Sequence, residues 1–164
     1  MKKTDVKKLV TASMLAAMIC VATMMHIPIP VSGYVNLGDA FVLLAGFILG
    51  PVYGALAAAI GSCITDLILF PSYAPATFVI KFLVAFCAAV IYKKNKSTIM
   101  CIVASIIGEV IMVLGYFAYE ALFLGLGIGA SGAIPFNVLQ GVAGVIVAFV
   151  LMKVFTKTKL LSKL

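Results

Sequence analysis

The stretch FVLLAGFILGPVYGALAAAIGSCITDLILF, Phe41 to Phe70, decides the fold. It carries one charged residue, Asp66, and is longer than one ordinary membrane crossing, which takes roughly 20 apolar residues. Gly50 and Pro51 interrupt it, and a Gly-Pro pair is a turn signal at which a helix ends. The stretch therefore predicts two helices, 37–50 and 52–70, the first so short that it is tilted or partly re-entrant.

The rest of the chain has the same character. Its 164 residues are 65% hydrophobic and 10% charged, with a mean hydropathy of +1.27, far outside the range of soluble domains. This predicts a single-domain (1–164), all-α, multi-pass integral membrane protein of the cell membrane. Further spans are expected at 8–26, 76–92, 97–119 and 132–153, making six. The N-terminus has a basic start and an apolar run, as a secretory signal does, but the run is long enough to span and is read as a retained first helix.

Lysine placement orients the chain, because cytoplasmic loops carry excess positive charge. All twelve basic residues are lysines. Lys2, Lys3, Lys7 and Lys8 precede the first span, Lys93, Lys94 and Lys96 join the fourth and fifth, and Lys153, Lys157, Lys159 and Lys163 follow the sixth. With six spans these positions share one side, which predicts both termini in the cytoplasm. A net charge of +7 is thereby explained by topology, and no nucleic-acid partner is expected.

Lys81 is the exception, about five residues into its span. Asp39 and Asp66 are expected at the same level, in the outer half of the membrane, and Glu109 deeper. Ionisable groups inside spans are costly and usually face an interior or a cavity. Lys81 either meets a ligand, snorkels to the headgroups, or forms an ion pair with Asp66. Helical spacing adds Thr77 one turn above Lys81, Asn36 before Asp39, Tyr116 and Glu120 on the stripe of Glu109, and Asn137 with Gln140 on the last span. Tyr34, Tyr73, Phe78, Tyr116, Tyr119 and Phe136 crowd that level, either as an interfacial belt or as stacking surfaces for a flat ligand. His26 stands at the outer end of the first span.

Catalysis is not indicated: no metalloprotease, nucleophile-elbow, P-loop or Asp-rich motif is present, and no cofactor or metal is expected. The four cysteines, Cys20, Cys63, Cys87 and Cys101, lie singly in apolar segments, against a zinc site or disulfide framework. Ala12 and Ala16 on the first span, and Gly54, Ala58 and Ser62 on the third, form small-residue ladders that let helices approach closely.

Taken together, SGYVNLGDAFVLLAGFILGPVYGALAAAIGSCITDLIL (residues 32–69) and YAPATFVIKFLVA (residues 73–85) resemble the substrate-binding S component of an energy-coupling factor (ECF) vitamin transporter. Within that family the chain is similar to the branch handling hydroxymethylpyrimidine, pyridoxine and riboflavin-like compounds. The resemblance implies a lipid-embedded subunit that captures a small vitamin from outside. Its expected partners are one ECF transmembrane protein and two cytoplasmic ATPases, docked through Ala12 and Ala16, and the loop near 27–37 would cap the pocket. Substrate contacts are expected from Asn36, Asp39, Asp66, Tyr73, Thr77, Lys81, Glu109, Tyr116 and Asn137, with hydroxymethylpyrimidine or pyridoxine favoured over riboflavin. The rival expectation is a self-sufficient secondary transporter or channel with Asp66, Lys81 and Glu109 as an ion relay.

Overall fold

The structure, a computed structural model, describes residues 3–30 and 33–158. Lys2, Lys159 and Lys163, three of the lysines that orient the chain, lie outside the described residues. Helix α1 (Lys3–Met24) leads into two short strands, β1 (His26–Pro28) and β2 (Tyr34–Asn36). Then follow α2 (Gly38–Leu69), α3 (Ala74–Lys94), α4 (Thr98–Leu122), a 3-10 helix (Gly127–Ala133) and α5 (Ile134–Lys157).

Among the described residues five helices are long and apolar enough to cross a membrane, where six were expected. The difference lies in α2, which absorbs both expected helices of the opening stretch. Its backbone breaks at Gly50, where φ is 79° and ψ is −176°, a region open in practice to glycine alone. The chain turns back there. A Cβ placed on Gly54 would stand 2.7 Å from the Cα of Gly46, whereas residues eight apart in a straight helix are separated by about 12 Å. Residues 38–49 and 51–69 are thus two arms folded against each other.

The first arm is the centre of the molecule: Ala40, Val42, Leu43, Leu44 and Ala45 are fully buried. An arm only about 18 Å long is tolerated because protein rather than lipid covers its backbone. Glycines set the spacing around α2. Gly46 backs onto Ala85 of α3, with a Cβ position 2.6 Å from the Ala85 carbonyl oxygen, and Gly61 backs onto Ala16 of α1, 3.1 Å from its Cα. The Thr65 hydroxyl donates to the Cys20 carbonyl at 3.1 Å across the same contact.

The same packing fixes which face of α1 is turned inward. Ala12 is buried and Ala16 half-buried against α2, while Ser13 and Ala17, one position on, are exposed among Leu9, Val10, Met14, Met18 and Val21. Small residues at a spacing of four occur in both registers of α1, and only its rotation against α2 selects the inner one.

Local signals place the remaining helix starts. Pro75 and Pro135 sit in the first turns of α3 and α5, where a missing N–H costs nothing, and the Ser97 hydroxyl accepts from the Met100 N–H at 3.2 Å at the start of α4. The strands, unexpected in an all-α chain, pair antiparallel with His26 opposite Asn36 and Pro28 opposite Tyr34. They form a lid at one end of the bundle. At the other end Lys8, Phe47, Leu49, Lys96 and Met152 line a common cleft, so the Gly50 turn lies at the lysine-bearing end.

Candidate binding site

Beneath the hairpin a cavity of about 30 Å³ is lined by residues from the end of α1, β2, the second arm of α2, α3, α4 and α5. Seven expected contacts line it, namely Asn36, Asp66, Tyr73, Thr77, Lys81, Tyr116 and Asn137. Strand β2 supplies Asn36 together with Tyr34, Tyr73 at the cap of α3 lines up with Thr77 and Lys81 on successive turns, and α4 supplies Tyr116.

Two hydrogen-bonded networks organise the site. In the first, the Lys81 ammonium forms an ion pair with Asp39 and not with Asp66, the ion-pair partner among the alternatives the sequence left open. Both partners are buried, at 3% and 0% exposure. The second Asp39 oxygen accepts from Gln140 Nε2 at 2.6 Å, and Gln140 Oε1 accepts from the Asn36 backbone N–H at 2.7 Å. Asn36 Oδ1 accepts in turn from the Gly38 N–H at 2.7 Å. A charge deep in the bundle is thereby wired to the lid. Asp39 stands behind Lys81 rather than at the cavity wall.

In the second network Asp66 accepts from the Tyr34 hydroxyl on one oxygen and from Thr77 on the other, and Thr77 meets the Tyr116 hydroxyl at 2.9 Å. Burial, and then the neighbouring Asp66 carboxylate, push the Tyr34 phenol well above its ordinary pKa. It is a hydrogen-bond donor throughout the physiological range. Nearby, Tyr73 donates to Glu120 at 3.2 Å.

Above these networks lies a cluster of rings. Tyr34 is 4.9 Å from both His26 and Phe70, ring centre to ring centre, tilted by 30° against Phe70. Tyr73 approaches Tyr119 at 5.7 Å and Tyr116 at 6.4 Å, and the Lys81 ammonium lies 5.4 Å from the Tyr116 ring centre, within cation–π range. Phe78, by contrast, points outward.

Glu109 is not brought to the cavity. It is buried between α4 and α5, 3.2 Å from the Cβ position of Gly141, and borders an apolar groove with Val113, Val138 and Val142. Neither of its carboxyl oxygens has a hydrogen-bond partner. Asp66, Lys81 and Glu109 therefore do not join into one hydrogen-bonded relay. Conversely, Gln140 and Glu120 are cavity residues that spacing flagged without promoting. The signal for each was its place on a polar stripe, Gln140 with Asn137 and Glu120 with Tyr116.

Comparison with known proteins adds the following. The profile of a family described as ECF-type riboflavin transporter, S component, matches residues 3–157. The chain is 32% identical to the riboflavin transporter RibU of Staphylococcus aureus (strain TCH60) over 167 aligned residues, covering 89% of this chain and 88% of that protein. It is 34% identical over 131 residues to an uncharacterized protein of Pyrococcus woesei, covering 79% and 88%. A solved S component of a bacterial ECF transporter superposes with a TM-score of 0.77 at 29% identity, over 95% of this chain and 98% of that one.

Proposed function

The chain belongs to the family of ECF-type riboflavin transporter S components, and on that premise we propose that it captures riboflavin at the outer face of the cell membrane. Import would be driven by an energising module of one transmembrane protein and two cytoplasmic ATPases. The chain is a membrane-embedded transport subunit and not an enzyme. The observation that carries the substrate is the layering of the site, a cluster of aromatic rings above a row of buried hydrogen-bonding side chains. Riboflavin joins a flat tricyclic ring with an imide edge to a chain of hydroxyls, so one molecule uses both layers. Pyridoxine and hydroxymethylpyrimidine, favoured from the sequence, are single rings and leave much of the polar row unmatched.

Capture requires movement. The cavity has room for one or two waters, whereas vitamin-sized ligands occupy pockets of roughly 300 Å³ or more. Tyr34 is the group to move, because it fills the space between Phe70 and Asp66 and rides on the hairpin. Its departure frees Asp66 and Phe70 for the ligand, while Gln140 keeps Asn36 tied to Asp39. Lys81, Thr77, Tyr116 and Asn137 would then meet the ligand's polar atoms, with Asp39 positioning Lys81.

Six crossings are proposed, each arm of α2 counting as one, with both termini in the cytoplasm. Support comes from Lys7, Lys8, Lys93, Lys94, Lys96, Lys153 and Lys157, all at or near helix ends that share one side in that count. Docking to the module is assigned to the exposed Ser13 and Ala17 face of α1.

Riboflavin fluorescence, which stacking on tyrosine quenches, supplies the test. Purified protein in detergent is expected to quench it saturably, with no competition from pyridoxine or hydroxymethylpyrimidine. Absent quenching together with binding of either smaller ring would reassign the substrate. Uptake by the chain alone in liposomes would favour a self-sufficient transporter.

A further inference from the structure

At the end of the bundle opposite the hairpin, a cavity of about 360 Å³ opens between the α3–α4 turn and the last turns of α5. Its wall is two-faced. Lys96, Lys153 and Lys157 stand on the rim with the hydroxyl residues Ser97, Thr98 and Thr156, while Tyr92, Phe149 and Met152 form the inner side. The Lys153 ammonium lies 4.7 Å from the Phe149 ring centre, which holds it over the opening. An adjoining cleft shares Tyr92, Lys96 and Met152 and adds Lys8.

Among the described residues no acidic residue lines either space, and the ion pair is Lys81 with Asp39. The rim therefore gathers several positive charges with no counter-charge among the described residues. Like charges around one opening repel, and an anion seated among them relieves that repulsion. A soluble anion would use the rim and leave the aromatic and thioether wall unmatched. A phosphate attached to a glycerol and acyl chain matches both, and basic pockets between membrane helices suit anionic headgroups.

We propose that this cavity binds an anionic phospholipid, the phosphate among Lys96, Lys153 and Lys157 and the glycerol end of an acyl chain against Phe149 and Met152. The site lies at the far end of the molecule from the vitamin cavity and stands apart from the choice of vitamin.

The experiment is lipid titration of the full chain in detergent, followed by native mass spectrometry, with dioleoylphosphatidylglycerol and dioleoylphosphatidylcholine as probes. Wild type is expected to retain phosphatidylglycerol with a preference on the order of tenfold. The triple variant Lys96→Gln/Lys153→Gln/Lys157→Gln should lose the preference. Lys93→Gln/Lys94→Gln, at the same end but outside the cavity, should keep it. An equal loss in that control would mean diffuse surface charge and overturn the site. Displacement of the lipid by millimolar inorganic phosphate would reassign it to a free anion. Equal retention of both lipids by wild type, with the triple variant instead failing to hold the energising module, would reassign the lysines to a protein contact. Should the triple variant not fold, as judged by its melting profile, Lys153→Gln alone is expected to lower the preference several-fold, and an unchanged preference would sink the proposal.

Discussion

Replacing Lys81 by methionine tests the central feature of the site, the buried ion pair with Asp39. Methionine keeps the length and apolar stem of the side chain and removes the charge. Asp39 is then left fully buried with one oxygen unpaired and the other still held by Gln140 at 2.6 Å. Breaking a buried pair on one side costs about 3–5 kcal/mol, and the surviving Gln140 bond puts this case near about 3 kcal/mol. For a chain of this length that corresponds to a melting temperature lowered by roughly 6–12 °C. Asp39→Asn should cost a similar amount by stranding the ammonium, whereas Lys81→Met combined with Asp39→Asn should recover about 2 kcal/mol as coupling. The parallel cycle with Asp66→Asn is expected to couple by well under half of that, since Asp66 is held by Tyr34 and Thr77. Thermal unfolding of the six proteins in one detergent decides the matter. Coupling concentrated on Asp66, or a Lys81→Met protein that melts like wild type, would refute the assigned pairing.

Tyr34→Phe keeps the ring against Phe70 but removes the donor to Asp66, so the hairpin should open more easily and riboflavin association, followed by stopped-flow quenching, should quicken several-fold; slower association would contradict a Tyr34 plug. Gly50→Ala forces a side chain into backbone space reserved for glycine and should destabilise the protein by about 1–3 kcal/mol, read as a lowered melting temperature, and unchanged melting would mean the turn is built differently. Gln140→Leu strips a partner from both Asp39 and the Asn36 N–H, at about 1–3 kcal/mol for leaving such groups unsatisfied. Hydrogen exchange at residues 34–38 should accelerate, and unaltered protection there would show that Gln140 does not tie the lid to the core. Glu109→Gln should leave riboflavin quenching within about twofold of wild type, because Glu109 lies outside the cavity and its oxygens hold no hydrogen bond; a large loss of affinity would place it in the ligand site.

Much of the architecture was legible locally. Hydropathy located the apolar runs, and Gly50-Pro51 marked the break within α2, though not that its arms fold back on each other through the single residue Gly50. Pro75 and Pro135, in the first turns of α3 and α5, are local signals of the same kind. The level of the site was also legible, because a rise of about 1.5 Å per residue places Asp39, Asp66, Thr77, Lys81 and Tyr116 at comparable depths. The hairpin was not, since three-residue strands rest on a backbone register that composition does not announce.

What the sequence alone determined, then, is depth and periodicity: which residues lie at one level, and which share a face of their own helix. What only the tertiary structure decided is azimuth, the rotation of each helix against its neighbours. That rotation gave Lys81 to Asp39 instead of Asp66, turned Ala12 and Ala16 inward and Ser13 and Ala17 outward, sent Glu109 to the α4–α5 seam, and made Gln140 the link between core and lid. The physical reason is that helical spacing fixes side chains relative to their own axis, whereas rotation about that axis is set by where glycine and alanine let two backbones touch, at Gly46 against Ala85 and Gly61 against Ala16.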